Sequence, residues 1–89
     1  IKNCDLLYHE STFLEDKQEL AIKTKHATAR QAATIAKKAT VKKLILGHYS
    51  SRYKDESLFL QEGQTVFDPI ELAQEGKFFS IENSYCSVL

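Results

Sequence analysis

The sequence predicts an α/β fold, a sheet covered by helices, with elements in the order β–α–β–α–β–β. Three observations carry this. The run LILG holds three consecutive aliphatic residues, as a strand buried on both faces does in a parallel or mixed sheet. TARQAATIAKKA, just before it, has helical spacing with alanines along one side. A further apolar run, CDLLYHE, lies upstream of that helix.

Taken in order, CDLLYHE (4–10) reads as a short buried strand, with Leu6, Leu7 and Tyr8 between polar ends. STFLEDKQELAIKTK (11–25) is mixed. Its Phe13, Leu14, Leu20 and Ile22 suit a loop followed by a helical turn or two. Residues 28–39 form the best helix, and Thr28 with Gln31 three residues on has the form of a capping box. Ala29, Ala32, Ala33 and Ala36 make a small face for close packing on a sheet, with Ile35 beside them. Arg30, Gln31, Thr34, Lys37 and Lys38 take the other sides, and the two lysines suit the negative end of the helix dipole.

TVKK (40–43) turns the chain into the strand 44–47. After the SSRY loop, DESLFLQEGQTVF (55–67) reads as a second helix, with Asp55 or Ser57 as cap and Gly63 as an interruption or end. Pro69 marks a break, PIELA a short strand, EGK a turn, and FFSIE (78–82) a closing strand. The opening IKNCD resembles the tail of a helix, and SYCSVL at the end fits no element.

The 89 residues bound the chain to a single domain or a domain fragment spanning 1–89. With 43% hydrophobic residues, one proline and three glycines, the composition is globular, not disordered. No window is long and apolar enough to span a membrane, so no membrane partner is expected. The start lacks the cationic and apolar regions of a signal peptide. Cys4 and Cys86 read as free thiols in a reducing cytoplasm, and without a CxxC motif a self-contained structural zinc site is not expected. Ten of the twelve Lys/Arg lie between Lys17 and Lys54, with Glu19 the one acid among them. Such a block marks a polyanion partner such as nucleic acid, or simply solvates helix and strand ends.

The three histidines all stand at element ends: His9 and His48 after strands, His26 before the capped helix. Functional groups collect beyond the carboxyl ends of strands in α/β sheets. A histidine before a helix N-terminus has its cationic form disfavoured, so His26 is poised for proton transfer. Each equally fits a hydrogen-bonded structural role. No HExxH or HxH pair occurs, so the residues alone do not build a two-metal site. Glu10 and His9, as strand neighbours, point to opposite faces. Arg52 offers a guanidinium matched to phosphate, with Ser50 and Ser51 as further donors. The competing reading pairs Arg52 with Asp55 or Glu56. Tyr8, Tyr49 and Tyr53 either stack on bases or pack in the core and rim. No GxGxxG, P-loop or GxSxG is present.

Together and in order, the three histidine segments resemble ribonuclease Z, the tRNA 3′-processing endonuclease family of the metallo-β-lactamase superfamily. YHESTF resembles its HEAT segment, KHATARQAATIAKKA its H-S/T-A-x-x-A-A-x-I-A-x-x-A helix, and KKLILGHYSSRYKD its strand ending in histidine and S-x-R-Y. The resemblance covers roughly residues 1–82. It implies the C-terminal part of a metallo-β-lactamase-type αββα sandwich. It implies that His48 is a zinc ligand, with two zinc ions per site in the intact enzyme. His26 would protonate the leaving 3′ oxygen or steady the scissile phosphate. Ser51 and Arg52 would contact phosphate or RNA, and His9, Glu10 and Tyr53 would support the site. The implied partners are precursor tRNA, the missing N-terminal part of the same domain, and a second copy in a homodimer. The family's HxHxDH motif is absent from these residues, so the chain is expected to be inactive in isolation. Two alternatives remain open: part of another metallo-β-lactamase-type hydrolase, and a non-catalytic RNA-binding or scaffold module.

Overall fold

The computed structural model describes residues 5–73 and the backbone of Tyr85–Val88. Strands β1 (Leu6–Glu10), β2 (Lys43–Gly47), β3 (Ile70–Leu72) and β4 (Tyr85–Val88) form a four-stranded sheet in the order β3-β2-β1-β4. Every pairing is parallel. Between β1 and β2 come a 3-10 turn (Glu15–Lys17), helix α1 (Gln18–Thr24) and helix α2 (Ala29–Ala39); helix α3 (Ser57–Gln64) joins β2 to β3. The expected α/β order is therefore present. Strand β4 lies in the tail that matched no sequence pattern. The expected strand 78–82, the turn at 75–77, the opening helix tail, Cys4 and the Cys86 side chain lie outside the described residues.

Alternation puts Leu7 and His9 on one face of β1, level with Leu44 and Leu46 of β2. Against that face pack the wholly buried Ala29, Ala32, Ala33 and Ala36 of α2, with Phe59 and Ile70 completing the core. The alanine face does what its spacing predicts, since small side chains let a helix lie close to a sheet. Leu44, Ile45 and Leu46 are all buried, which agrees with a strand covered on both sides. Gly47 is required by a close approach on the other face. A Cβ there would stand 1.9 Å from Tyr8 Oη and 2.6 Å from Cζ, so the Tyr8 ring fills the space a side chain would need.

The helix ends follow local chemistry. The capping box at Thr28 is complete: Thr28 Oγ1 accepts from Gln31 N at 3.1 Å, and Gln31 Oε1 accepts from Thr28 N at 3.0 Å. Helix α1 ends at Lys25, whose φ of 61° lies in the left-handed region. There Lys25 N donates to Ile22 O and His26 N to Ala21 O, the bonding of a Schellman motif. In α3, Asp55 caps the helix start, its Oδ1 accepting from Ser57 N at 3.0 Å and Ser57 Oγ at 2.6 Å. Ser57 is thus the first helical residue and not the cap. Gly63 sits buried inside the helix and does not end it.

Two outcomes test these caps. Lys25→Gly removes a Cβ from a left-handed position and is expected to stabilise the chain by roughly 0.5–1 kcal/mol, read as a higher urea midpoint at unchanged slope. The Ser57 hydroxyl and amide hold the Asp55 carboxyl below the usual aspartate range. A carboxylate depressed on folding stabilises above its unfolded pKa, and that contribution goes as pH falls through the folded value. The first turn of α3 should therefore survive titration through about pH 4 and loosen only below it, followed by the Ser57 amide shift.

Candidate metal centre

The carboxyl ends of β1 and β2 lie side by side, Glu10 opposite Gly47. Beyond them the two loops are laced together. Ser11 donates to Gly47 O from its amide at 2.8 Å and its hydroxyl at 3.1 Å, and Ser50 N donates to Thr12 O at 2.9 Å. His48 follows Gly47 with φ 60°, a left-handed backbone that costs a non-glycine residue about 1 kcal/mol. That conformation accompanies an imidazole whose Nδ1 lies 2.9 Å from Thr12 Oγ1. His26 enters from the other side, in the short link between α1 and α2. Its ring centroid lies 5.4 Å from that of His48 and 6.2 Å from that of Phe13.

Glu10 organises the group. Its carboxylate is buried, and Oε2 accepts from the Thr12 hydroxyl at 2.7 Å and Thr12 N at 3.2 Å. Oε1 accepts from Ala27 N, beside His26. Oε2 also lies 3.5 Å from His26 Nδ1. The donors assign the histidine tautomers. The Thr12 hydroxyl has one hydrogen, and a carboxylate only accepts, so that hydrogen goes to Glu10. The Thr12 oxygen must then accept from His48 Nδ1–H, which leaves His48 Nε2 with its lone pair available. This is the relay of carboxylate, bridging group and histidine that orients metal-binding imidazoles.

Glu10, His26 and His48 each bring one ligand atom within 4.8 Å of the others. Two imidazoles and a carboxylate are a donor set that suits zinc. His48 fits a ligand best, since among the described residues its Nε2 has no hydrogen-bond partner while both Glu10 oxygens are already engaged. The other residues singled out from sequence are placed differently. His9 is buried on the α2 side of β1, where its Nδ1 donates to Glu10 O at 2.7 Å. Ser51 and Arg52 are exposed. Arg52 borders a neighbouring cleft that also holds Glu15, Asp16, Lys17, Glu19 and Lys23, and among the described residues no carboxylate forms an ion pair with it. Asp55 is committed to Ser57 instead.

Tyr49 and Tyr53 both pack on Phe59, at ring separations of 4.9 and 5.2 Å. Tyr49 donates to Leu46 O at 2.6 Å, and burial raises its pKa far above the usual phenol range. Tyr53 donates to Asp16 Oδ1 at 2.6 Å and accepts from Leu14 N at 3.1 Å; burial, then the Asp16 bond, raises its pKa. Both hydroxyls brace loops. The sequence reading missed Thr12. Its only signal was its place two residues after Glu10 in YHESTF.

Comparison with known proteins gives the family and the fold. The chain is 51% identical over 83 residues to ribonuclease Z of Cytophaga hutchinsonii and 48% identical over 83 residues to that of Bacteroides thetaiotaomicron. In both cases the match covers 93% of this chain and 26% of the relative, so the chain spans about a quarter of the length of the curated relatives it matches. The match falls on their C-terminal part. The metallo-beta-lactamase fold protein YhfI of Bacillus subtilis superposes with a TM-score of 0.78 at 28% identity, covering 85% of this chain and 31% of that one. No family model matches the chain.

Glu10→Ala would strip acceptors from three donors, Ala27 N, Thr12 N and Thr12 Oγ1. Unpaired buried donors cost about 1–3 kcal/mol each, less where water enters. The expected loss is about 2–4 kcal/mol in urea denaturation. A loss under about 0.5 kcal/mol would mean that Glu10 does not organise this edge.

Proposed function

We propose, from the premise that this chain belongs to the ribonuclease Z family and has the metallo-β-lactamase fold, that it serves as the C-terminal part of a zinc-dependent endonuclease. The substrate class is 3′-extended precursor tRNA, and the reaction is phosphodiester hydrolysis. One observation carries the reading: Glu10, His26 and His48 converge at the carboxyl edge of the sheet, on the three segments that resemble the family.

In this reading His48 holds zinc through Nε2, with Nδ1 fixed by Thr12. When bound, zinc supplies Lewis acidity at the scissile phosphate. Glu10 faces Nδ1 of His26 and so sets the ring. His26 then presents its other nitrogen to protonate the leaving 3′ oxygen or to steady the phosphate. The N-terminus of α2 is not open to phosphate in the manner of a P-loop helix. Ala29 N, Arg30 N and Gln31 N already donate to Phe13 O, Glu62 and Thr28. Arg52, without a carboxylate partner among the described residues, is the guanidinium left for RNA phosphate. Ser51 lies beside it. The remaining zinc ligands come from the rest of the domain. The family resemblance also supports a homodimeric, cytoplasmic enzyme.

The test joins this chain to the complementary part of a ribonuclease Z relative and assays cleavage of 3′-extended precursor tRNA. Zinc-dependent cleavage is expected from the joined protein and none from the 89-residue chain alone. His48→Ala should abolish cleavage and lower zinc content. His26→Ala should lower kcat by about 10²-fold or more with KM little changed. Cleavage that survives His48→Ala at full rate would overturn the reading.

A further inference from the structure

We infer that Glu62, on α3 and outside the metal centre, is a positioning residue that sets the placement of His26 relative to His48. The inference deepens the role of His26 given above, but it stands on its own geometry. Glu62 Oε1 accepts from Glu15 N at 2.9 Å, and Oε2 accepts from Arg30 N at 3.0 Å. Glu15 in turn accepts from Thr28 Oγ1 at 2.5 Å. One carboxylate thus grips the start of the 3-10 turn and the first turn of α2. These are the segments on either side of the α1 link that carries His26.

Glu62 can reach both because α3 lies close to α2 and the sheet. Its neighbour Gly63 is buried, and a Cβ there would stand 2.7 Å from Ile70 Cδ1, 3.5 Å from Leu46 Cδ1 and 3.8 Å from Ala33 Cβ. The missing Cβ leaves room for the Ile70 side chain, and Phe59 one turn earlier is fully buried. Helix α3 also follows directly from the loop that carries His48, Ser51 and Arg52. Glu62 therefore ties α3, the helix that follows the His48 loop, to the segments that flank His26. Without it, the link still has His26 N to Ala21 O, Phe13 N to Ala27 O, Ala29 N to Phe13 O, Ala27 N to Glu10 and Thr28 Oγ1 to Glu15, but none of these reaches α3.

The test uses this chain by itself, so failure of the nuclease reading would leave it intact. The nuclear Overhauser effect between the His26 and His48 rings is compared with that between Tyr49 and Phe59, an internal reference within the core. In Glu62→Ala the His26–His48 effect should fall to about half or less of its ratio to the reference, because the ring leaves the ~0.5 Å tolerance of a positioned group. Glu62→Gln keeps one acceptor and should fall between. A residue that only stabilised the fold would lower the urea midpoint and leave the ratio unchanged. An unchanged ratio in folded Glu62→Ala overturns the inference. Where that variant does not fold, an unchanged ratio in Glu62→Gln does the same.

Discussion

The backbone N–H groups at the start of α2 organise this end of the molecule. A helix opens with donors that have no partner within the helix, and buried ones must find partners elsewhere. Here Ala27 N goes to Glu10, Thr28 N to Gln31, Ala29 N to the carbonyl of Phe13, Arg30 N to Glu62 and Gln31 N to Thr28. These partners come from β1, the loop after it, α3 and α2 itself. Satisfying one helix end therefore ties four parts of the chain together. Two of the acceptors are carboxylates, which the positive end of the helix dipole favours.

That arrangement fixes the candidate metal centre from behind. Glu10 would be costly to bury if its oxygens lacked donors. Its bonds to Ala27 and Thr12 offset that cost, and they also set two histidines at once. Thr12 passes the orientation to His48, while the carboxylate itself faces His26. The left-handed backbone at His48 is a strained conformation of the kind that collects at functional sites. It persists here because the two strand-end loops are pinned to each other through Ser11, Thr12 and Ser50.

Charge divides between buried and exposed groups. Glu10 and Glu62 are turned to backbone amides, whereas Asp16 and Glu19 are exposed beside Arg52. Arg52 and the lysines of the basic block remain at the surface. The exposed cations and the carboxylates that hold the loops together are thus different residues.

Much of the fold was legible along the chain because its signals are local. The capping box at Thr28 and Gln31, the alanine spacing of α2, and the aliphatic run of β2 each involve residues within a turn or a strand of one another. The placement of three histidines at element ends was equally plain, and so was the family their segments resemble. What only the tertiary structure decided depends on crossover and register. The parallel register sets Glu10 beside Gly47, brings Thr12 under His48 across 36 residues, and carries Glu62 to Arg30 across 32. Glu10 looked like a neighbour of the site because a strand pattern assigns a face and not a partner. β4 went unread because its short segment has no distinct period of its own and gains its place by pairing with β1. Local sequence sets which elements form. The partners of a buried carboxylate are set by which elements meet, and that is decided by packing between residues far apart in the chain.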